Sequence, residues 1–131
     1  MSVFSRVGAA EARAHLAEAK RGDRGIQFTF THLDDAPVNL YGLRISEEIY
    51  SKRAKGQRAE MATLALSIPV QTGLLPQTDS ARPIRFGDKI EWPLSSGRIL
   101  FVASVAIAEN SNGYIFEVTC NEKKMSNLGV S

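Results

Sequence analysis

A single cysteine, Cys120, occurs in 131 residues, which excludes an internal disulfide and a zinc site built from four cysteines. No apolar run approaches the roughly 18 residues that cross a bilayer as a helix. The opening Met1-Ser2-Val3-Phe4-Ser5-Arg6 lacks the apolar stretch and cleavage site of a secretory signal, so the expectation is synthesis in a cytoplasm with no membrane partner. Histidine is nearly as scarce, and neither His15 nor His32 has a convincing catalytic partner in sequence. No G-x-S-x-G elbow, G-x-x-x-x-G-K-[ST] phosphate loop or H-E-x-x-H metal motif is present. The expectation is therefore not an enzyme, with no catalytic residue, no cofactor and no metal. His32 with Asp34 and Asp35 offers nitrogen and oxygen ligands in principle, but it reads first as a polar turn closing a strand. An excess of charge of one sign is missing too. Sixteen Lys and Arg against 14 Asp and Glu leave a net +2, too little for a general polyanion-binding surface, so a nucleic-acid role would rest on local clustering. Internal repeats and low-complexity tracts are absent.

What is there suffices for one domain. At 14.3 kDa the chain buries roughly two-thirds of its unfolded surface on folding, enough for one core without staples. Residues 3–20 are Ala-rich, with Ser2 or Ser5 as N-cap and Gly22 beyond the last turn, and predict the one helix. Val3, Val7, Ala10, Ala14 and Ala17 share a face, while Ala9, Ala12 and Leu16 lie opposite. Small residues on two faces suit a helix wedged between copies in an oligomer, although Ala on a solvated face explains them as well.

From Gly25 the period changes to two. Ile26, Phe28 and Phe30 alternate with Gln27, Thr29 and Thr31 as in a strand with one wet face. Asp34-Asp35-Ala36-Pro37 breaks it, and Val38 to Ile45 resumes. Leu64, Leu66, Ile68 and Val70 form a third strand in which Pro69 cannot donate, which predicts an edge or a bulge. Lys89 to Trp92, Arg98 to Ala108 and Tyr114 to Cys120 follow as a meander. It is joined by Ser95-Ser96-Gly97 and Asn110-Ser111-Asn112-Gly113. Six strands and one leading helix predict a mainly β, barrel-like or sandwich domain over residues 25–120, because closure hides edges that an open sheet exposes. Residues 46–60 and 71–83 are expected to be long loops and 121–131 a loose tail. Cys120 reads as a small buried hydrophobe and Trp92 as core.

The one basic run is Lys52-Arg53-Ala54-Lys55-Gly56-Gln57-Arg58. It reads as a solvated loop flanked by Glu47, Glu48 and Glu60, or as a protein contact. Four cations without interleaved aromatics support a nucleic-acid-binding barrel only weakly. Together with Val3, Val7, Ala10 and Ala14 of the helix, and Arg82 in the second loop, Lys52, Arg53, Lys55 and Arg58 make up the candidate interface.

The second half resembles the head-tail joining (head completion) proteins of tailed bacteriophages. The likeness is carried by Val70-Gln71-Thr72, a Pro-containing loop, Arg85-Phe86-Gly87-Asp88-Lys89-Ile90-Glu91-Trp92, Gly97-Arg98-Ile99-Leu100-Phe101-Val102 and the closing strand Tyr114 to Cys120. Phe4 to Arg21, Gly25 to His32 and residues 46–60 occupy the places of that family's short helix, first barrel strand and long loop. The resemblance implies a virion structural protein, assembled in the host cytoplasm, that forms a ring of six or twelve copies at the portal vertex. Such a ring closes the DNA-filled head and presents the tail attachment surface. Its implied partners are further copies of itself, the portal or adaptor protein and tail proteins, with packaged DNA in the channel. Residues 46–60 are more basic than the resemblance leads one to expect. A ring-forming tail subunit such as a tail terminator, or a small nucleic-acid-binding barrel, is the competing expectation.

Overall fold

A computed structural model describes residues 3–33, 35–54, 57–78, 80–109 and 111–122, with side chains described outside 3–7 and 48–61. In chain order the elements are α1 (Val3–Arg21), β1 (Gly25–Thr31), β2 (Val38–Ala54), β3 (Gln57–Pro69), β4 (Lys89–Glu91), β5 (Ile99–Ile107) and β6 (Ile115–Asn121). The strands close into an antiparallel barrel in the order β1-β2-β3-β6-β5-β4. The mainly β barrel with one leading helix, expected from the alternation of apolar residues, is the fold the chain adopts.

Alternation places the core. Phe28 and Phe30 of β1, Leu64, Leu66 and Ile68 of β3, Leu100 and Val102 of β5, and Phe116, Val118 and Cys120 of β6 all point inward and are buried. Burying each large apolar side chain contributes roughly 1.5–3 kcal/mol. In β5 a bulge between Val102 and Ser104 adds one residue. It carries the inward row from Leu100 and Val102 over to Val105 and Ile107, which pair with Val118 and Phe116. Trp92 is partly buried against the core.

The helix sits outside the barrel along β1, β2 and β3. Gly8, Ala12 and Ala19 are buried and Leu16 half-buried, whereas Ala10, Ala14 and Ala17 are exposed. Of the two small-residue faces, then, the barrel takes the one holding Ala12 and Leu16. Gly22 donates to the Glu18 carbonyl at 2.7 Å and ends the helix. At Gly25 a β-carbon would collide with the Ala19 carbonyl, so the tight return into β1 requires glycine. Ser5 lies within the first turns rather than at the cap, and Ser2 is outside the described residues.

Three sequence expectations are corrected. Residues 46–60 are no loop: β2 runs to Ala54 and β3 starts at Gln57, in register from Glu47↔Leu64 to Ala54↔Gln57. Low apolar content hides these strands, because their order comes from cross-strand pairing continued out of the barrel and not from burial. β3 is also no edge strand, since β2 and β6 flank it. Pro69 is tolerated because it is the last residue of β3. Finally, the polar end is ordered at its start: Asn121 belongs to β6, and Glu122 donates its N–H to the Ala62 carbonyl and accepts the Ala62 N–H on Oε2. Residues 123–131 lie outside the described residues.

Candidate functional site

The antiparallel order brings Thr31, Val38, Pro69, Lys89, Ile107 and Ile115 to one end of the barrel. Among the described residues, 70–78 and 80–88 cross that end without helix or strand apart from a single bridge, Gln71↔Leu74. Leu74 and Ile84 plug it, at 2% and 3% exposure. Gln77 fixes the crossing by donating its N–H to the Gly113 carbonyl at 2.9 Å. Gly113 has φ +85°, and a β-carbon there would strike the Gln77 carbonyl. The Asn112-Gly113 turn is therefore matched to the segment that covers it.

A buried ionisable pair ties β1 to this cap. His32 Nδ1 lies 2.8 Å from Asp88 Oδ2, and Oδ2 also accepts the Arg85 N–H at 2.7 Å. The Asp88 side chain is wholly buried and that of His32 is 21% exposed. A buried carboxylate needs such partners, because without them its desolvation costs several kcal/mol. With Asp88 ionised, the proton of the shared bond belongs on Nδ1. The backbone of the same turn is engaged as well: Asp88 donates to the Arg85 carbonyl, and its own carbonyl accepts the Val102 N–H at 2.8 Å. The polar turn expected around His32 also exists, with Asp35 donating to the His32 carbonyl at 2.9 Å. Leu33 in that turn holds φ +51° and is 64% exposed, two local costs for a leucine. His32 borders a cleft of about 260 Å³ lined also by Phe30, Asp35, Leu74, Leu75 and Arg82. Among the described residues no hydroxyl or thiol side chain lines it. The pair can hold the β1 end against the cap.

Arg82 also borders a second cleft, of about 310 Å³, together with Gln77, Arg85, Phe86, Val105 and Ile107. Arg82 is among the interface residues expected from the sequence, whereas Arg85-Phe86-Gly87-Asp88 enters there only within the stretch that carries the family likeness. The Asp88–His32 pair spans 56 positions and leaves no local signal.

The arm is the other distinctive feature. β6 pairs with β3 over Thr63 to Pro69, and β1 pairs with β2 over Val38 to Leu43. Among the described residues, 50–54 and 57–61 pair only with one another. This makes a two-stranded ribbon roughly 17 Å long at about 3.3 Å per residue. Lys52 pairs with Ala59 and Arg53 with Arg58, while Lys55 lies outside the described residues. At the ribbon's base Glu47 engages Arg44 at 3.8 Å and Arg98 at 3.9 Å, and Arg98 also reaches Glu122 at 3.6 Å.

The structure thus separates the candidate interface residues. Lys52, Arg53 and Arg58 lie on the ribbon at one end of the barrel, and Arg82 is on the cap at the other. Ala10 and Ala14 are exposed on the helix. The side chains of Val3 and Val7 are outside the described residues. Comparison with protein-family models finds no match for this chain, and comparison with curated proteins finds none either.

Proposed function

We propose that this protein is a ring-forming structural subunit of a tailed-phage virion, seated at the portal vertex between head and tail. The observation that carries the reading is the β2–β3 ribbon, which continues beyond its barrel neighbours and pairs only with itself among the described residues. An isolated domain gains little from such a ribbon, since two strands alone are at best marginally stable in water. Against a neighbouring copy it becomes a reach of backbone and side chains that buries surface.

A closed ring needs two different patches on each copy. The helix face bearing Ala10 and Ala14, left free by the barrel, is the second patch beside the ribbon. Augmentation at a barrel edge is not part of the reading, because the barrel is closed; the strand edges without a neighbour among the described residues are those of the ribbon itself. The resemblance of residues 70–120 to head-tail joining proteins supplies the virion location.

Electron microscopy and sedimentation of the purified chain test this. Rings are expected, together with a variant lacking residues 49–61 that stays folded by circular dichroism and sediments as a monomer. A wild-type chain that stays monomeric at high concentration, and on portal-bearing heads, overturns the reading.

A further inference from the structure

The second cleft combines features that the ring reading does not use. Among the described residues its lining holds two arginines, Arg82 and Arg85, and no carboxylate. Both are exposed, and neither takes part in the ion pairs formed among the described residues. The adjacent acid, Asp88, is buried and turned to His32 and to the Arg85 N–H. Phe86 stands beside the arginines at 43% exposure, an unusual setting for so large an apolar ring. Below them Val105 and Ile107, brought to the barrel mouth by the bulge in β5, form an apolar floor, and Gln77 also lines the cleft.

Two guanidinium groups without an ion-pair partner among the described residues call for an anion with several acceptor oxygens, since their fork geometry matches phosphate or carboxylate. An exposed aromatic at the same cleft calls for a flat apolar partner. Phosphate and planar ring occur together in a nucleotide, and the pairing of backbone cations with a stacking aromatic is how single strands are held without reading sequence. We propose that this cleft binds a nucleotide unit of single-stranded nucleic acid, its phosphate at Arg82 and Arg85 and its base against Phe86. The inference stands on the cap alone and does not depend on ring formation.

The test uses fluorescence anisotropy of a labelled oligothymidylate of about ten nucleotides with the full chain. It is run on the wild type and in a K52S/R53S/K55S/R58S background, so that the ribbon's cations do not carry the signal. In that background Arg82→Ala and Arg85→Ala should each weaken binding and make the slope of log affinity against log salt shallower by about 0.7. Phe86→Leu should weaken binding roughly five- to a hundredfold at unchanged slope, and Phe86→Trp should retain it. Unchanged Trp92 emission certifies that each variant is folded. Absence of binding, binding indifferent to both arginine substitutions or to Phe86→Leu, or equal competition by a polyglutamate peptide overturns the proposal. Ring formation is scored separately by sedimentation, so the two readings can fail independently.

Discussion

Pro69 lacks an N–H at the end of β3, where the ladder to β2 would continue toward Tyr41. The side-chain amide of Gln71 stands in for the missing backbone. It accepts the Tyr41 N–H at 2.8 Å and donates to the carbonyls of Tyr41 and Pro69 at 2.8 and 2.9 Å. Three part-buried backbone groups thus depend on one amide, and leaving such groups unpaired costs about 1–3 kcal/mol. Gln71→Ala should lower unfolding stability by about 2 kcal/mol, read as a reduced urea midpoint at unchanged slope. Gln71→Glu should recover little, because it keeps the acceptor and loses the donor. At Cys120 burial pushes the thiol from 9.0 up to about 12. The folded state therefore holds its proton where the unfolded state releases it. This contribution is intact below pH 9 and is lost as pH rises toward 12, at most about 1.4 kcal/mol per pH unit. Urea midpoints of wild type and Cys120→Ala should converge between pH 8.5 and 10.5, by about this slope above pH 9; a constant difference refutes the assignment.

At the scale of elements, legibility follows burial. Phe28, Phe30, Leu64, Leu66, Ile68, Phe116 and Val118 face a core on every second residue, and the period-two pattern they impose is visible in the sequence. The helix is visible for another reason, Ala propensity bounded by Gly22, although which of its faces packs was not. That choice is made by the barrel, against which Ala12 and Ala19 sit. Where burial stops, so does the pattern. Residues 50–54 and 57–61 form strands through mutual pairing, and nothing in Ser51-Lys52-Arg53 or Arg58-Ala59-Glu60 marks a strand on its own. The cap shows the same limit. The partners of His32, Gln71 and Gln77 lie 56, 30 and 36 residues away, and polar pairs at such separations have no periodicity to read. The candidate site was therefore half visible, as charged residues in the ribbon and at Arg82. The second cleft emerges only when the β5 bulge sets Val105 and Ile107 beside Arg85 and Phe86.

For the whole molecule the near-neutral total conceals a polarised distribution. Lys52, Arg53, Lys55 and Arg58 contribute four of the 16 basic residues; the remaining 12 face 14 acidic ones, so the rest of the chain carries −2 against +2 overall. Arg53 and Arg58 are direct cross-strand partners, a like-charge pair that disfavours the ribbon unless an anionic surface meets it. In the ring proposed above a neighbouring copy would offer such a surface, because heterologous contacts repeated around the ring would set each positive ribbon end against the next net-negative body. Charge-led contacts of this kind are screened, the Debye length falling from about 10 Å at 0.1 M salt to about 3 Å at 1 M. Contacts led by the apolar helix face would hold or strengthen over the same range. Rings of the wild-type chain are accordingly expected to dissociate as salt rises from 0.1 to 1 M. K52S/R53S/K55S/R58S should already be monomeric at the lower salt, with both species followed by sedimentation velocity. A charge-conserving K52R/K55R variant should assemble like the wild type, because it keeps the field while altering side-chain shape. Rings that persist in the serine variant would assign assembly to the helix face instead.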